Sequence, residues 1–215
     1  MAPSTATTVL LVRHGVTGTT GKVLPGRAPG LHLAAKGVTQ AQRVAERLAE
    51  LATAPSALYV SPLERTRETA APIAAALSLR ARSERGLLEC DFGDWTGKTL
   101  ASLRKKPEWR AVQHAPSTFR FPSGESFTEM QVRIWTTLER LAAAHPGETI
   151  VVVSHADHDL VGIVEFVGHE AMSSVSDPVL FTLSTIGVEP VRTTALIEQV
   201  EITVRWKRSR GTPWA

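Results

Sequence analysis

Three short apolar runs, rich in β-branched residues, constrain the fold of this chain more than any other feature. They are residues 7–13 (Thr-Thr-Val-Leu-Leu-Val-Arg), 57–60 (Ala-Leu-Tyr-Val) and 149–153 (Thr-Ile-Val-Val-Val). Each reads as a buried strand. Between them the apolar period changes to that of a helix. Val38, Ala41, Val44, Ala45, Leu48, Leu51 and Ala52 mark one helix over 38–52. Phe127, Met130, Ile134, Leu138 and Leu141 form the stripe of a longer one over 124–144. Ser61-Pro62 is expected to open a further helix, with Ser61 as N-cap, Pro62 at the first helical position and Glu64 in the first turn. Pro72 is expected to kink or interrupt it. A helix over 157–167 and strands over 179–186 and 195–206 complete the reading. Residues 14 to about 37 hold Gly15, Gly18, Gly21, Gly26 and Gly30 before Lys36 and read as loop.

Strands alternating with amphipathic helices predict a three-layer α/β/α sandwich, with a mostly parallel sheet and helices on both faces. At 215 residues the chain is expected to be a single domain over 1–215. Residues 98–125 would form a small helical cap, and 1–7 and 208–215 flexible tails. Cys90 is the one cysteine, so neither an intrachain disulfide nor a cysteine metal cluster is available. The longest aliphatic run, 150–153, is far below a membrane span, and the first residues lack a signal-peptide pattern. A cytoplasmic protein that binds no membrane is expected. The net charge of +3 suits anionic substrates but does not imply nucleic acid. Arg205, Lys207, Arg208 and Arg210 read as a solvated terminal edge. His32, His114, His145 and His169 read as surface residues, and Trp95, Trp109, Trp135, Trp206 and Trp214 as packing residues.

In parallel sheets ligands sit beyond the carboxyl ends of the strands. Here those ends carry Arg13-His14-Gly15, Ser61 to Arg65, and Ser154-His155. Two arginines and two histidines at one rim suit a doubly charged anion. A neutral imidazole among them could attack phosphorus and form a phosphohistidine. The leaving alkoxide then needs a proton, which a carboxylic acid could supply. Spacing alone leaves Glu89, Asp91 and Asp94 open for that task.

The motifs together resemble the histidine phosphatase superfamily, the phosphoglycerate mutase-like group, over roughly residues 9–167. Arg13-His14-Gly15 with Thr17 is similar to its signature, and Gly26-Arg27 with the segment 37–41 to its glycine–arginine loop and first helix. Residues 61–70 (Ser-Pro-Leu-Glu-Arg-Thr-Arg-Glu-Thr-Ala) are similar to its second arginine segment. Glu89 with Phe92-Gly93-Asp94-Trp95-Thr96-Gly97, Phe121-Pro122-Ser123-Gly124-Glu125-Ser126, and Val152-Val153-Ser154-His155-Ala156 follow in the family's order. The resemblance implies His14 as phosphorylated nucleophile and Glu89 as proton donor and later base. It implies Arg13, Arg65 and His155 as holders of the phosphoryl oxygens. Thr17, Thr20, Arg27 and Ala156 would line the phosphate or substrate side, with Thr20 standing where many members have asparagine. Position 16 is valine, where many members have an acidic residue.

The resemblance implies no metal and no cofactor, a small phosphomonoester as substrate, and the homodimer common in the family. Only 98–120 separate Gly97 from Phe121, which resembles the phosphatase branch that includes α-ribazole and broad-specificity phosphatases and actinobacterial phosphomutase-like members. A phosphoglycerate mutase-type phosphotransferase is the alternative, followed by a non-catalytic phosphate-binding pseudoenzyme. A metal-dependent hydrolase is the remaining rival. Val153-Ser154-His155-Ala156-Asp157-His158 falls one ligand short of a His-x-His-x-Asp-His motif, since valine cannot bind a metal.

Overall fold

The computed structural model describes residues 7–155 and the strands Leu180–Phe181 and Thr203–Trp206. In chain order the elements are β1 (Thr7–Arg13), α1 (Ala35–Ala49), β2 (Ala57–Val60), α2 (Glu64–Ala76), β3 (Ala81–Ser83), α3 (Leu100–Leu103), α4 (Trp109–His114), α5 (Phe127–Ala143), β4 (Thr149–Ser154), β5 (Leu180–Phe181) and β6 (Thr203–Trp206). The sheet order is β3-β2-β4-β1-β5, and β6 also pairs with β1. The pairs β3–β2, β2–β4 and β4–β1 are parallel. Strands β5 and β6 run antiparallel to β1, β5 against Leu11 and Val12, β6 against residues 7–10.

The period of two along each strand divides the core cleanly. Val9, Leu11, Tyr59, Ile150 and Val152 face one way, toward Met130, Ile134, Leu138 and Leu141 of α5. Leu10, Val12, Leu58, Val60, Val151 and Val153 face the other, toward Ala45 and Leu48 of α1 and Ala70 and Ile73 of α2. This is the expected sandwich, with helices on both faces of a mainly parallel sheet. Residues 98–125 carry α3, α4 and a 3-10 turn over Pro116–Thr118. They close the α5 side with aromatics: Trp95 stacks on Trp109, with ring centroids 6.1 Å apart, and contacts Phe119 and Phe121.

Several boundaries differ from the sequence expectation. Helix α1 begins at Ala35, not Val38, and ends at Ala49. Gly37 therefore lies inside its first turn, where a Cβ would stand 2.2 Å from the Val16 carbonyl oxygen. Only a glycine lets the helix approach the loop that closely. Helix α2 starts at Glu64 with Leu63 at its N-cap and no side-chain cap, so neither Ser61 nor Pro62 opens it. It also runs through Pro72, flanked by the buried Ala70 and Ile73. Packing on both sides outweighs the one lost backbone bond. Strand β3 was not expected, because its Ala-Arg-Ser sequence carries no apolar signal. Helix α5 starts at Phe127, where Ser126 and Glu129 form a reciprocal capping box. His145 is not a surface residue: it is mostly buried, with Nε2 at 2.8 Å from the Tyr59 hydroxyl. The helix expected over 157–167, His169, Trp214 and both tails lie outside the described residues. No helix among the described residues is long and apolar enough to cross a membrane.

Candidate active site

The sheet register brings the two histidines together. Arg13 pairs with Ser154 in register, and the His14 N–H donates to the Ser154 carbonyl at 3.0 Å, extending the β1–β4 ladder one step. The His14 and His155 rings then meet edge to face, with centroids 5.2 Å apart. Both rings are buried. A carbonyl oxygen can only accept, so the 2.8 Å contact between His14 Nδ1 and the Gly15 carbonyl places the ring proton on Nδ1. The lone pair is then on Nε2, where the Arg65 Nε–H approaches at 3.2 Å. Gly15 is held in turn: its N–H donates to Thr69 Oγ1 at 3.0 Å, and a Cβ on it would meet the Gly37 carbonyl oxygen at 2.4 Å.

Arg65 is fully buried in the first turn of α2, and its Nη2 donates to the Gly26 carbonyl at 2.9 Å. Ser61, which does not cap α2, instead places Oγ 2.8 Å from His155 Nε2. No other partner of that hydroxyl occurs among the described residues. The arrangement in which Ser61 donates leaves the His155 proton on Nδ1, on the side of Glu89. Burial, then the charges of Arg65, His14, Arg133 and Arg13, push the His155 pKa well below the usual imidazole value. A neutral His155 that accepts from Ser61 at Nε2 would carry its one proton on Nδ1.

Of the three acidic candidates, the structure brings Glu89 alone to these groups. Its Oε1 accepts the Cys90 N–H at 2.9 Å, and its Oε2 stands 3.9 Å from Arg65 Nη2 and 3.8 Å from His155 Nδ1. Asp91 accepts the Gly93 N–H, and Asp94 faces Ser123. Arg27 sends its guanidinium to the acid loop: Nε donates to the Glu89 carbonyl at 2.7 Å, and Nη2 meets Glu125 Oε2 at 2.8 Å. Thr17 and Thr20 form a hydroxyl pair at 3.1 Å, with the Thr17 N–H donating to Thr20 Oγ1 at 2.9 Å. Ala156, Asp157 and His158 lie outside the described residues. No group of three or more metal-ligating side chains occurs among the described residues.

The sequence singles out Glu125 only as part of the family-like segment 121–126, with no role, and Arg133 not at all. Arg133 holds Glu125 through paired bonds, Nε to Oε1 at 3.0 Å and Nη2 to Oε2 at 2.9 Å. Burial works to raise the Glu125 pKa, but the bonds and charge of Arg133, the Asp91 N–H and the charge of Arg27 outweigh it and hold the carboxyl below its ordinary range. The motif itself marks Glu125; for Arg133 the available signal is its place eight residues on, in the second turn of α5.

The model of the histidine phosphatase superfamily (branch 1) matches residues 9–169. The chain belongs to that superfamily. It is a phosphatase of this group, and the resemblance carried by the motifs and the matched region agree in extent. An uncharacterized protein of Mycobacterium tuberculosis is 36% identical over 153 residues, 69% of this chain and 73% of that protein. Phosphoserine phosphatase 1 of Hydrogenobacter thermophilus is 35% identical over 135 residues, 60% of this chain and 63% of that enzyme. Among solved structures, mycobacterial glucosyl-3-phosphoglycerate phosphatase superposes with a TM-score of 0.66 at 25% identity, covering 75% of this chain and 79% of that one. The α-ribazole phosphatase from Shigella flexneri gives 0.60 at 27% identity, covering 69% and 73%. Family membership accounts for the common rim on which Arg13, His14, Arg65 and His155 stand, since the superfamily shares the fold.

Proposed function

We propose that the protein hydrolyses a phosphomonoester without a metal, through a phosphohistidine on His14. The observation that carries this reading is the His14 ring, with its proton turned to the Gly15 carbonyl and its Nε2 lone pair against Arg65. Nε2 attacks phosphorus as the phosphorus–oxygen ester bond breaks, and Glu89 gives its proton to the leaving alkoxide. Water then attacks the phosphorus, Glu89 takes a proton from it, and the phosphorus–nitrogen bond breaks to release inorganic phosphate. Arg13, Arg65 and the Nδ1–H of His155 hold the equatorial oxygens as charge develops. Thr17 and Thr20 line the phosphate side with hydroxyls. Arg27 acts from behind the acid loop.

Hydrolysis is favoured over mutase chemistry by the short stretch between Gly97 and Phe121, which leaves little chain to seal the phosphohistidine from water. The basic residues Arg104, Lys105, Lys106 and Arg110 in the cap favour a substrate with a second anionic group. Equal turnover of neutral and acidic phosphomonoesters would count against that preference.

The test is p-nitrophenyl phosphate hydrolysis in excess EDTA, followed by an alkaline quench and mapping of the phosphorylated peptide. Activity that survives the chelator, with phosphate on the His14 peptide, is expected. Activity lost in EDTA and restored by zinc or manganese would overturn the reading.

A further inference from the structure

The geometry points to Glu125 as a positioning residue that, through Arg27 and Arg133, sets where Glu89 stands relative to the phosphoryl group. The inference rests on Glu89 being the proton donor. Glu89 sits on a loop whose only regular structure nearby is the 3-10 turn Arg85–Leu87 before it and another, Gly93–Trp95, after it. Such a loop has no ladder to fix it. Ser154 Oγ at the end of β4 donates to the Leu87 carbonyl at 3.0 Å, and the loop is otherwise held by the clamp at four backbone positions around Glu89. Arg133 Nη1 donates to the carbonyls of Gly86 at 2.8 Å and Leu88 at 2.9 Å. Arg27 Nε donates to the carbonyl of Glu89 itself at 2.7 Å. The Asp91 N–H donates to Glu125 Oε2 at 3.0 Å, and the Glu125 N–H donates to the Asp91 carbonyl at 2.9 Å.

Both arginines meet on one carboxylate, and Arg27 Nη1 has a second, longer contact with Asp91 Oδ2 at 3.5 Å. Glu125 Oε2 takes Arg27 Nη2 at 2.8 Å and Arg133 Nη2 at 2.9 Å, while Oε1 takes Arg133 Nε. Without that charge the two guanidinium groups, drawn to one point, repel each other; Arg133 loses both of its carboxylate bonds, and Arg27 keeps only the longer contact with Asp91. The neighbouring backbones are also in close contact: a Cβ on Gly124 would meet the Asp91 carbonyl oxygen at 2.2 Å. The clamp ends on the acid and makes no direct bond to His14, Arg65 or His155. Its loss therefore moves the proton donor and leaves the phosphate pocket in place.

The test compares an alkyl phosphate, whose leaving group needs a proton, with p-nitrophenyl phosphate, whose leaving group needs little help. Glu125→Gln is expected to lower kcat/KM, which reports the step that expels the leaving group and not the later attack of water, by about ten- to a hundredfold on the alkyl ester and by less than about threefold on p-nitrophenyl phosphate. The basic limb of the kcat/KM pH profile on the alkyl ester should shift with it. In a Glu89→Gln background, Glu125→Gln should add nothing to the leaving-group selectivity, because the two act on one step. Arg133→Lys, which keeps the charge but loses the planar fork, should repeat the selectivity if Glu125→Gln is poorly folded. Equal losses on both esters, or selectivity that multiplies with that of Glu89→Gln, would overturn the inference. Failure of Glu89→Gln itself to discriminate between the esters would instead overturn the assignment of the acid, and this inference with it.

Discussion

His14 and His155 stand at the ends of adjacent parallel strands, whereas Glu89 stands on a loop fastened by side chains. On the first side, six register pairs join β1 to β4, and residues 150–153 are completely buried. The imidazoles begin where that ladder stops, so their separation is set by main-chain geometry. On the second side the work is done by Arg27, Glu125 and Arg133, whose side chains remain 20–30% exposed. Backbone ladders in a dry sheet are insensitive to salt, while partly exposed ion pairs are screened. The phosphate-binding wall is thus the rigid half of the site. The proton-donating wall is the adjustable half, and changes in substrate preference should fall there.

Breaking the rigid wall should be costly for every substrate. Arg65→Lys removes the bond to His14 Nε2 and the bond to the Gly26 carbonyl. It should cost about a hundred- to a thousandfold in kcat/KM on alkyl and aryl phosphates alike. Steady-state kinetics on both ester types check this; a loss confined to alkyl esters would place Arg65 with the acid. Breaking the adjustable wall should discriminate between substrates. Glu89→Gln is expected to lower kcat/KM by about a hundredfold or more on alkyl phosphates and by only a few-fold on p-nitrophenyl phosphate, since that ratio ends at the step that expels the leaving group. A smaller effect is expected for Ser61→Ala, about tenfold on both esters, because His155 stays in place but loses the partner that fixes its proton. Nitrogen NMR of labelled histidine should show the Nδ1–H form of His155 in the wild type and a mixture in the variant. Ser61→Thr should restore the wild-type spectrum.

The smallest effect is on stability against pH, and its sign follows from burial. The folded pKa of His155 lies well below the ordinary 6.5, so the unfolded chain binds that proton first. Stability supplied by neutral, buried His155 is complete above about pH 6.5 and declines as the pH falls toward the folded value. The exposed His32–Glu68 pair works in the opposite direction, because its histidine pKa is raised. The comparison that isolates His155 is therefore wild type against His155→Gln, in urea unfolding between about pH 7.5 and about pH 5.5. The wild-type midpoint should fall more steeply with acid. Parallel slopes would mean that His155 is protonated in the folded protein.

The difference between the two walls also explains what could be read in the sequence. Strands β1, β2 and β4 were legible because burial on both faces demands short β-branched runs, and the rule for ligands at strand ends then led to Arg13, His14, Arg65 and His155. Strand β3 was not legible, since three edge residues need no apolar pattern. Ser61 before a proline carries the ordinary signature of a helix cap. Only the fold shows that α2 begins later, with Leu63 at its N-cap, and that the Ser61 hydroxyl meets His155 instead. Glu89, Asp91 and Asp94 are equivalent on spacing alone, because a loop has no period to say which carboxylate turns inward. Arg27 resembles a substrate ligand by motif, and its contact with Glu125, which lies just before α5 and about a hundred residues away in sequence, carries no signal in the sequence.

The pairing of Thr8 with Thr149, and of Arg13 with Ser154, also governs when the site comes into being. A nascent chain that has emerged only through α5 already carries His14, Arg65, Glu89 and the Glu125 clamp. It lacks the strand against which β1 must be set. Parallel pairing across so much intervening chain is slow to form, because loop closure must come before its contacts reward it. Phosphatase activity should therefore return late in refolding, after helical structure has reappeared, and its time course reports the closing of the sheet's centre.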